Sequence, residues 1–315
     1  MFDRLRAVRV SPGSYRVIVV TTIAVFALIT VTGAGVRLTG SGLGCEDWPT
    51  CNDGKVVAEL DNWHSMIEFG NRMISGLVLI PVVGCVIGAM RRVPRRRDLI
   101  RRSWWLLAVL AVEIPLGGIT VKMGLTPPIV AAHFLVSFAL LAMAMMLYER
   151  AGSGDGPATP VVDPAVLRLS RLSVALATAV ILSGTVVTGS GPHAGADDVT
   201  RLGYEVETVA RIHSLLGWAL LLAVTFTLGV AYRSGELTDR VRRRGTALTC
   251  AIVAQGAIGY AQYAAGVPAG MVALHVTGAV AVWLTLFHFH LSLWTRAPEV
   301  TESVHSSDLV GAGQR

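Results

Sequence analysis

Trp63-His64-Ser65-Met66-Ile67-Glu68-Phe69-Gly70-Asn71-Arg72 opens an apolar run that continues through Met90. The run is long enough to cross a bilayer as a helix, which takes about 20 residues. A helix turns once in about 3.6 residues, so His64, Glu68, Asn71 and Arg72 share one face. Ionisable side chains are costly inside such a helix, and they usually face a protein interior at a working site. Two readings of Glu68 stand side by side: a functional carboxylate, or a structural partner of Arg72 at i, i+4.

Apolar windows of this length recur along the chain, at 17–36, 64–90, 103–121, 129–148, 168–190, 207–232, 246–264 and 271–295. Only 15% of the residues are charged, against about a quarter in an ordinary soluble domain. The pattern predicts an all-α membrane protein with eight transmembrane helices. The first window is too long for a secretory signal, and Gly33–Val36 runs on without a cleavage box.

The net charge of +6 speaks to topology. Arg4, Arg6, Arg9 and Arg16 precede the first window, seven arginines lie in Arg91–Arg102 and five in Arg233–Arg244. With eight crossings, 21 of the 27 Lys and Arg residues fall on the side of the N-terminus. The positive-inside rule makes that side, and hence both termini, cytoplasmic, with the chain in the plasma membrane. No basic patch is interleaved with aromatics, which excludes nucleic-acid binding. A Gly- and Pro-rich linker, 151–164, separates a four-helix half at 1–150 from another at 165–296, and a polar tail at 297–315 is expected to be disordered.

The halves resemble one another. Thr39-Gly40-Ser41-Gly42 reappears as Thr188-Gly189-Ser190-Gly191, and Gly35 matches Gly184, at an offset of 149. Glu113, Gly117, Gly124 and His133 match Gln255, Gly259, Gly266 and His275 at an offset of 142, which also sets Asn71 opposite His213. A parallel repeat predicts two pseudo-symmetric four-helix bundles. The change of offset gives the first half the longer first outer loop, which holds Cys45 and Cys51. An outer compartment permits a disulfide there. Cys85 and Cys250 lie in apolar helices and read as inert small side chains.

His213 and His275 fall at similar depths on neighbouring helices. Facing histidines from separate helices are how a bundle core holds a haem or a metal. Zinc would want three or four N, S or carboxylate ligands, so bis-histidine haem fits better. The first half has His133 and Glu68, with Asn71 in place of a histidine; the second has Ala210 in place of Glu68. One half reads as a fully ligated cofactor site, the other as a related pocket with an open axial position and an added carboxylate. Such a carboxylate suggests chemistry on the bound ligand.

From Gly33 to about His290 the chain resembles the haem A synthase family. The resemblance rests on Gly33 to Cys45 leading into Asp47-Trp48-Pro49, on Glu68 to Arg72, on Leu116-Gly117-Gly118-Ile119-Thr120-Val121, and on the histidines. It implies eight helices in two halves, a haem b held by His213 and His275, and a substrate haem O pocket at His133 and Asn71. It further implies a catalytic Glu68 assisted by Arg72, and a disulfide between Cys45 and Cys51 that either staples the loop or exchanges with a redox partner. The activity implied is oxidation of a haem O methyl to a formyl by successive hydroxylations, giving haem A for cytochrome oxidase. Asn71 departs from the histidine many members carry and leaves His133 without a strong trans partner. Expected partners are haem O, the haem O synthase that would deliver it, an unidentified electron-transfer protein, the lipid bilayer and, in a homo-oligomer, further copies of the chain. The competing expectations are a b-type membrane cytochrome without substrate chemistry and, from the repeat alone, a transporter.

Overall fold

The structure, a computed structural model, describes residues 9–52, 54, 57, 58 and 61–297. Its helices are α1 (Pro12–Leu38), α2 (Trp63–Leu77), α3 (Leu79–Arg91), α4 (Arg97–Lys122), α5 (Pro127–Ala151), α6 (Pro164–Ser190), α7 (Val206–Arg233), α8 (Asp239–Ala264) and α9 (Ala269–Leu291). Helices α2 and α3 form one span, Trp63–Arg91, interrupted at Val78. Pro81 accounts for the interruption: it has no N–H for the carbonyl of Leu77, and its ring crowds that carbonyl.

Among the described residues seven helical spans are long and apolar enough to cross a membrane: α1, α2–α3, α4, α5, α6, α7 and α9. The expected count of eight meets an exception in α8. At 26 residues it is as long as its neighbours. It is also more polar, with four arginines in its first two turns and Gln255 and Gln262 further on.

Local chemistry sets the helix starts. The Ser11 hydroxyl accepts from Ser14 N–H ahead of Pro12, and the Asp163 carboxylate from Ala165 N–H ahead of Pro164. Asn62 Oδ1 accepts from the N–H groups of His64 and Ser65 at the start of α2. The turns α4–α5 and α8–α9 are built alike. Gly124 and Leu125, and likewise Gly266 and Val267, have positive φ. Leu125 N–H donates to Thr120 C=O at 2.8 Å, and Val267 N–H to Gln262 C=O at 2.9 Å. Left-handed backbone favours glycine at the first position; the second accepts a side chain because its N–H closes the helix end.

α1, α3, α4 and α5 pack together, as do α6 with α7 and α8 with α9. The two groups meet where α9 lies on α1 and α5, and where α6 lies on α5 and α9. There Trp283 stacks edge-on against Phe138 and its indole N–H donates to Phe138 C=O at 2.8 Å. By contrast α2 touches α1 far less than α7 touches α6. Val17, Leu28, Trp105, Leu222 and Phe226 point outward, as lipid-facing helices require. A short antiparallel pair, β1 (Ala158–Pro160) with β2 (Trp294–Arg296), ties the 151–164 segment to the chain beyond α9. Apart from Ala297, the polar tail expected to be disordered lies outside the described residues.

Candidate functional site

His213 on α7 and His275 on α9 meet with ring centres 6.2 Å apart and planes inclined at 67°. Each ring is held by its Nδ1. Nδ1 of His213 lies 3.0 Å from Ser183 Oγ and 3.0 Å from Val180 C=O, both on α6. Nδ1 of His275 lies 3.1 Å from the amide nitrogen of Gln255 on α8, which also donates to His275 C=O at 2.8 Å. The Val180 carbonyl holds the ring proton of His213 on Nδ1 and leaves its Nε2 for another partner. A metal–imidazole bond of about 2 Å on each side, with about 1 Å from nitrogen to ring centre, spans about 6 Å. The pair therefore has the separation two axial ligands of one iron need. Among the described residues no three His, Cys, Asp or Glu side chains gather as a metal site. A macrocycle that brings its own four nitrogens asks the protein for only two.

Glycines clear the space for these rings. A Cβ on Gly184 would stand 3.2 Å from His213 Cε1, and one on Gly259 would stand 3.0 Å from His275 Cε1. Gly117 seats His133 in the same way, at 3.1 Å. The next residue, Gly118, lies under the Trp48 ring of the loop that holds Cys45 and Cys51. The Leu116–Val121 motif thus seats a histidine with one glycine and the loop with the other.

His133 on α5 is partly open and has no histidine ring stacked on it among the described residues. Its Nδ1 lies 3.2 Å from Glu113 Oε2 on α4, and the other Glu113 oxygen accepts from Ser137 Oγ. Asn71 is half-buried, and its Oδ1 has no hydrogen-bond partner. Its helix, α2, makes no extensive contact with α5.

Glu68 is buried, at 4% exposure, and both oxygens are engaged. Oε2 accepts from Cys45 N–H at 2.9 Å; Oε1 accepts from Arg72 Nε at 3.1 Å and Nη2 at 2.5 Å. Arg72 also donates through Nη1 to Asp47 C=O at 2.8 Å and Thr50 C=O at 2.7 Å. Cys45 and Cys51 are joined in a disulfide. The i, i+4 pair is therefore real, and it holds the disulfide loop over the start of α2. His64, on the same stretch, turns to Ser41 Oγ at 3.0 Å.

Sequence reasoning missed the groups that hold the histidines. Ser183 and the Val180 carbonyl carried no signal. Gln255 and Glu113 had surfaced only as a repeat match. It also missed two arginines: Arg37 and Arg201 both donate to Thr188 C=O at 2.9 Å, and burial lowers the pKa of Arg201. Elsewhere, Glu149 gathers Arg240, Arg244 and His288, joining α5 to α8 and α9.

Comparison with known proteins gives these features a context. The chain is 28% identical over 305 residues to a protohaem IX farnesyltransferase of Thermus thermophilus, covering 91% of this chain and 49% of that protein. It is 32% identical over 127 residues to the haem A synthase of Lysinibacillus sphaericus, covering 39% of this chain and 41% of that one. It is 32% identical over 136 residues to the haem A synthase of Bacillus licheniformis, covering 42% and 44%. The chain thus spans about half the length of the Thermus protein, and its aligned parts cover less than half of the two synthases. Residues 15–67 and 61–287 match the COX15-CtaA family, described as cytochrome oxidase assembly protein. With nearly all of its helical body matched, the chain belongs to that family.

Proposed function

We propose that this protein is a haem A synthase, oxidising a methyl group of haem O to a formyl group by successive hydroxylations. The observation that carries the proposal is the pair His213 and His275, with ring centres 6.2 Å apart and each Nδ1 engaged. A second seat of the same kind at His133 supports it. In this reading His213 and His275 would hold a resident haem b, and His133 and Asn71 would contribute to the pocket for haem O. When bound, the haem b would supply one-electron transfer.

The remaining roles fall to the chain's own side chains. Glu68 and Arg72 lie in the first half only, buried against the disulfide loop. Their fixed charges would act on the substrate pocket from its outer side, Glu68 as the acid–base or electrostatic group and Arg72 as its partner. The loop itself excludes water above them. We read α8 as an eighth crossing: it shares its closing turn with α4, which does qualify as a span. The molecule is then two pseudo-symmetric four-helix halves in the plasma membrane, with both termini cytoplasmic. Matching about half of a longer protohaem IX farnesyltransferase supports a place next to the step that farnesylates haem.

A b-type cytochrome without substrate chemistry is the competing reading. It gives no reason for carboxylates at Glu68 and Glu113 where the second half has Ala210 and Gln255. The test is a product assay: purified protein given haem O and an electron acceptor, with pigments extracted and separated. Formation of haem A, or of its hydroxymethyl precursor, is expected. Unchanged haem O from a preparation that retains its low-spin haem b would refute the proposal.

A further inference from the structure

The two histidines matched by the repeat, His133 and His275, sit in the same seat with different neighbours. Each ring lies over a glycine, Gly117 or Gly259, one helix away, with its Nδ1 against the residue four positions before that glycine. That residue is Glu113 in the first half and Gln255 in the second. Glu113 Oε2 and His133 Nδ1 stand 3.2 Å apart, not yet aligned as a hydrogen bond, and neither atom has another partner. A small turn of the ring aligns them.

Glu113 is 6% exposed in the middle of an apolar helix. Apart from His133, its side chain is met by the Ser137 hydroxyl, with no arginine or lysine paired to it among the described residues. A carboxylate so placed costs stability, so packing does not explain it. Facing the Nδ1 of a ligand histidine does explain it. An acceptor at Nδ1 fixes the tautomer and raises the basicity of Nε2; the Glu113 carboxylate is such an acceptor, whereas Gln255 meets His275 Nδ1 with its amide nitrogen, a donor.

We propose that Glu113 is a positioning residue that makes His133 a stronger electron donor to the substrate iron than His275 is to its own, so that the first-half site has the lower reduction potential. This inference rests on the reading of His133 as a substrate-haem ligand. It orders the two sites so that electrons taken from the substrate run downhill to the second half. In the full-length protein loaded with haem O, the potential of each haem would be titrated and the iron–histidine stretching band of the reduced first site recorded.

Glu113→Gln should raise the first-site potential by at least a tenfold change in oxidised-to-reduced ratio at fixed potential, or about 59 mV for one electron. It should also lower the stretching frequency, with the second site unmoved. Gln255→Glu should lower the second-site potential by a similar factor, and this variant carries the test if Glu113→Gln fails to fold. A haem O that is lost in His133→Ala but keeps its potential and stretching band in Glu113→Gln would overturn this proposal alone. A haem O whose spectrum is indifferent to His133→Ala would overturn the ligand reading and this proposal with it.

Discussion

Replacing Gly259 with alanine should strengthen its helix and still empty the site beside it. On α8 the added methyl would stand 3.0 Å from Cε1 of His275. Carbon atoms settle at about 3.5–4.0 Å, so the ring must retreat by about half an ångström. It is not free to do so, because its Nδ1 lies against Gln255 at 3.1 Å and its ring stands edge-on to His213. Ligand geometry tolerates about 0.5 Å of error, so the displacement uses the whole tolerance. Disturbing the groups that orient a ligand weakens metal affinity by about tenfold to a hundredfold. The helix itself should gain up to about 1 kcal/mol from Gly→Ala. Gly256→Ala is the control: same helix, same propensity gain, nothing within 4 Å of its Cβ. The assay is haem content and the low-spin visible spectrum per mole of purified protein, read beside thermal stability of haem-free protein. The expected result is haem loss in Gly259→Ala only. Full haem with an unaltered spectrum in Gly259→Ala would refute the seat and with it the ligand role of His275.

Glu68→Gln keeps the side chain's size but removes its charge. If Glu68 acts in chemistry, haem content should persist while haem A formation falls more than about a hundredfold; equal loss of haem and product would mark it as a loop clamp only. Breaking the buried pair should also cost up to about 3 kcal/mol, reduced because Arg72 keeps the Asp47 and Thr50 carbonyls. Asn71→His should give the first site a low-spin, bis-histidine spectrum once haem O is added; two such centres already present in the unaltered protein would contradict the open axial position. A thiol reagent should label Cys45 and Cys51 only after reduction, and labelling of both in unreduced protein would contradict the disulfide.

Much of this was legible in the chain because a membrane helix must satisfy its own backbone and declare itself by composition. The spans, the repeat and the candidate histidines follow from local signals. The break at Val78 was legible too, in Pro81, had the run through Met90 been read for backbone hydrogen bonds. The polarity of α8 was visible in its arginines and glutamines. What local signals do not carry is which side chains meet across helices. Glu113 lies 20 positions before His133 in sequence, and only the packing of α4 on α5 makes it a neighbour. Glu149 beside Arg244 and His288 is the same case. Asn71 stands opposite His213 in the sequence repeat, but its unpartnered Oδ1 is visible only in the fold.

The shift of offset from 149 to 142 and the charges of the first half turn out to be one feature. The longer loop supplies Cys45 N–H to Glu68 and the carbonyls of Asp47 and Thr50 to Arg72. Without those groups a buried carboxylate and guanidinium would depend on each other alone, at a desolvation cost their mutual attraction often fails to offset. Without the charges, the loop would leave an amide and two carbonyls facing a hole at the top of α2. The disulfide keeps the loop short and closed while it serves both partners. At the matching position the second half has Ala210, so its shorter loop has no carboxylate there to satisfy. Shortening the first loop to the length of the second should therefore be tolerated only if Glu68 and Arg72 are neutralised together. The place where the sequence repeat is broken is thus the place where Glu68 and Arg72 are buried beneath the longer loop.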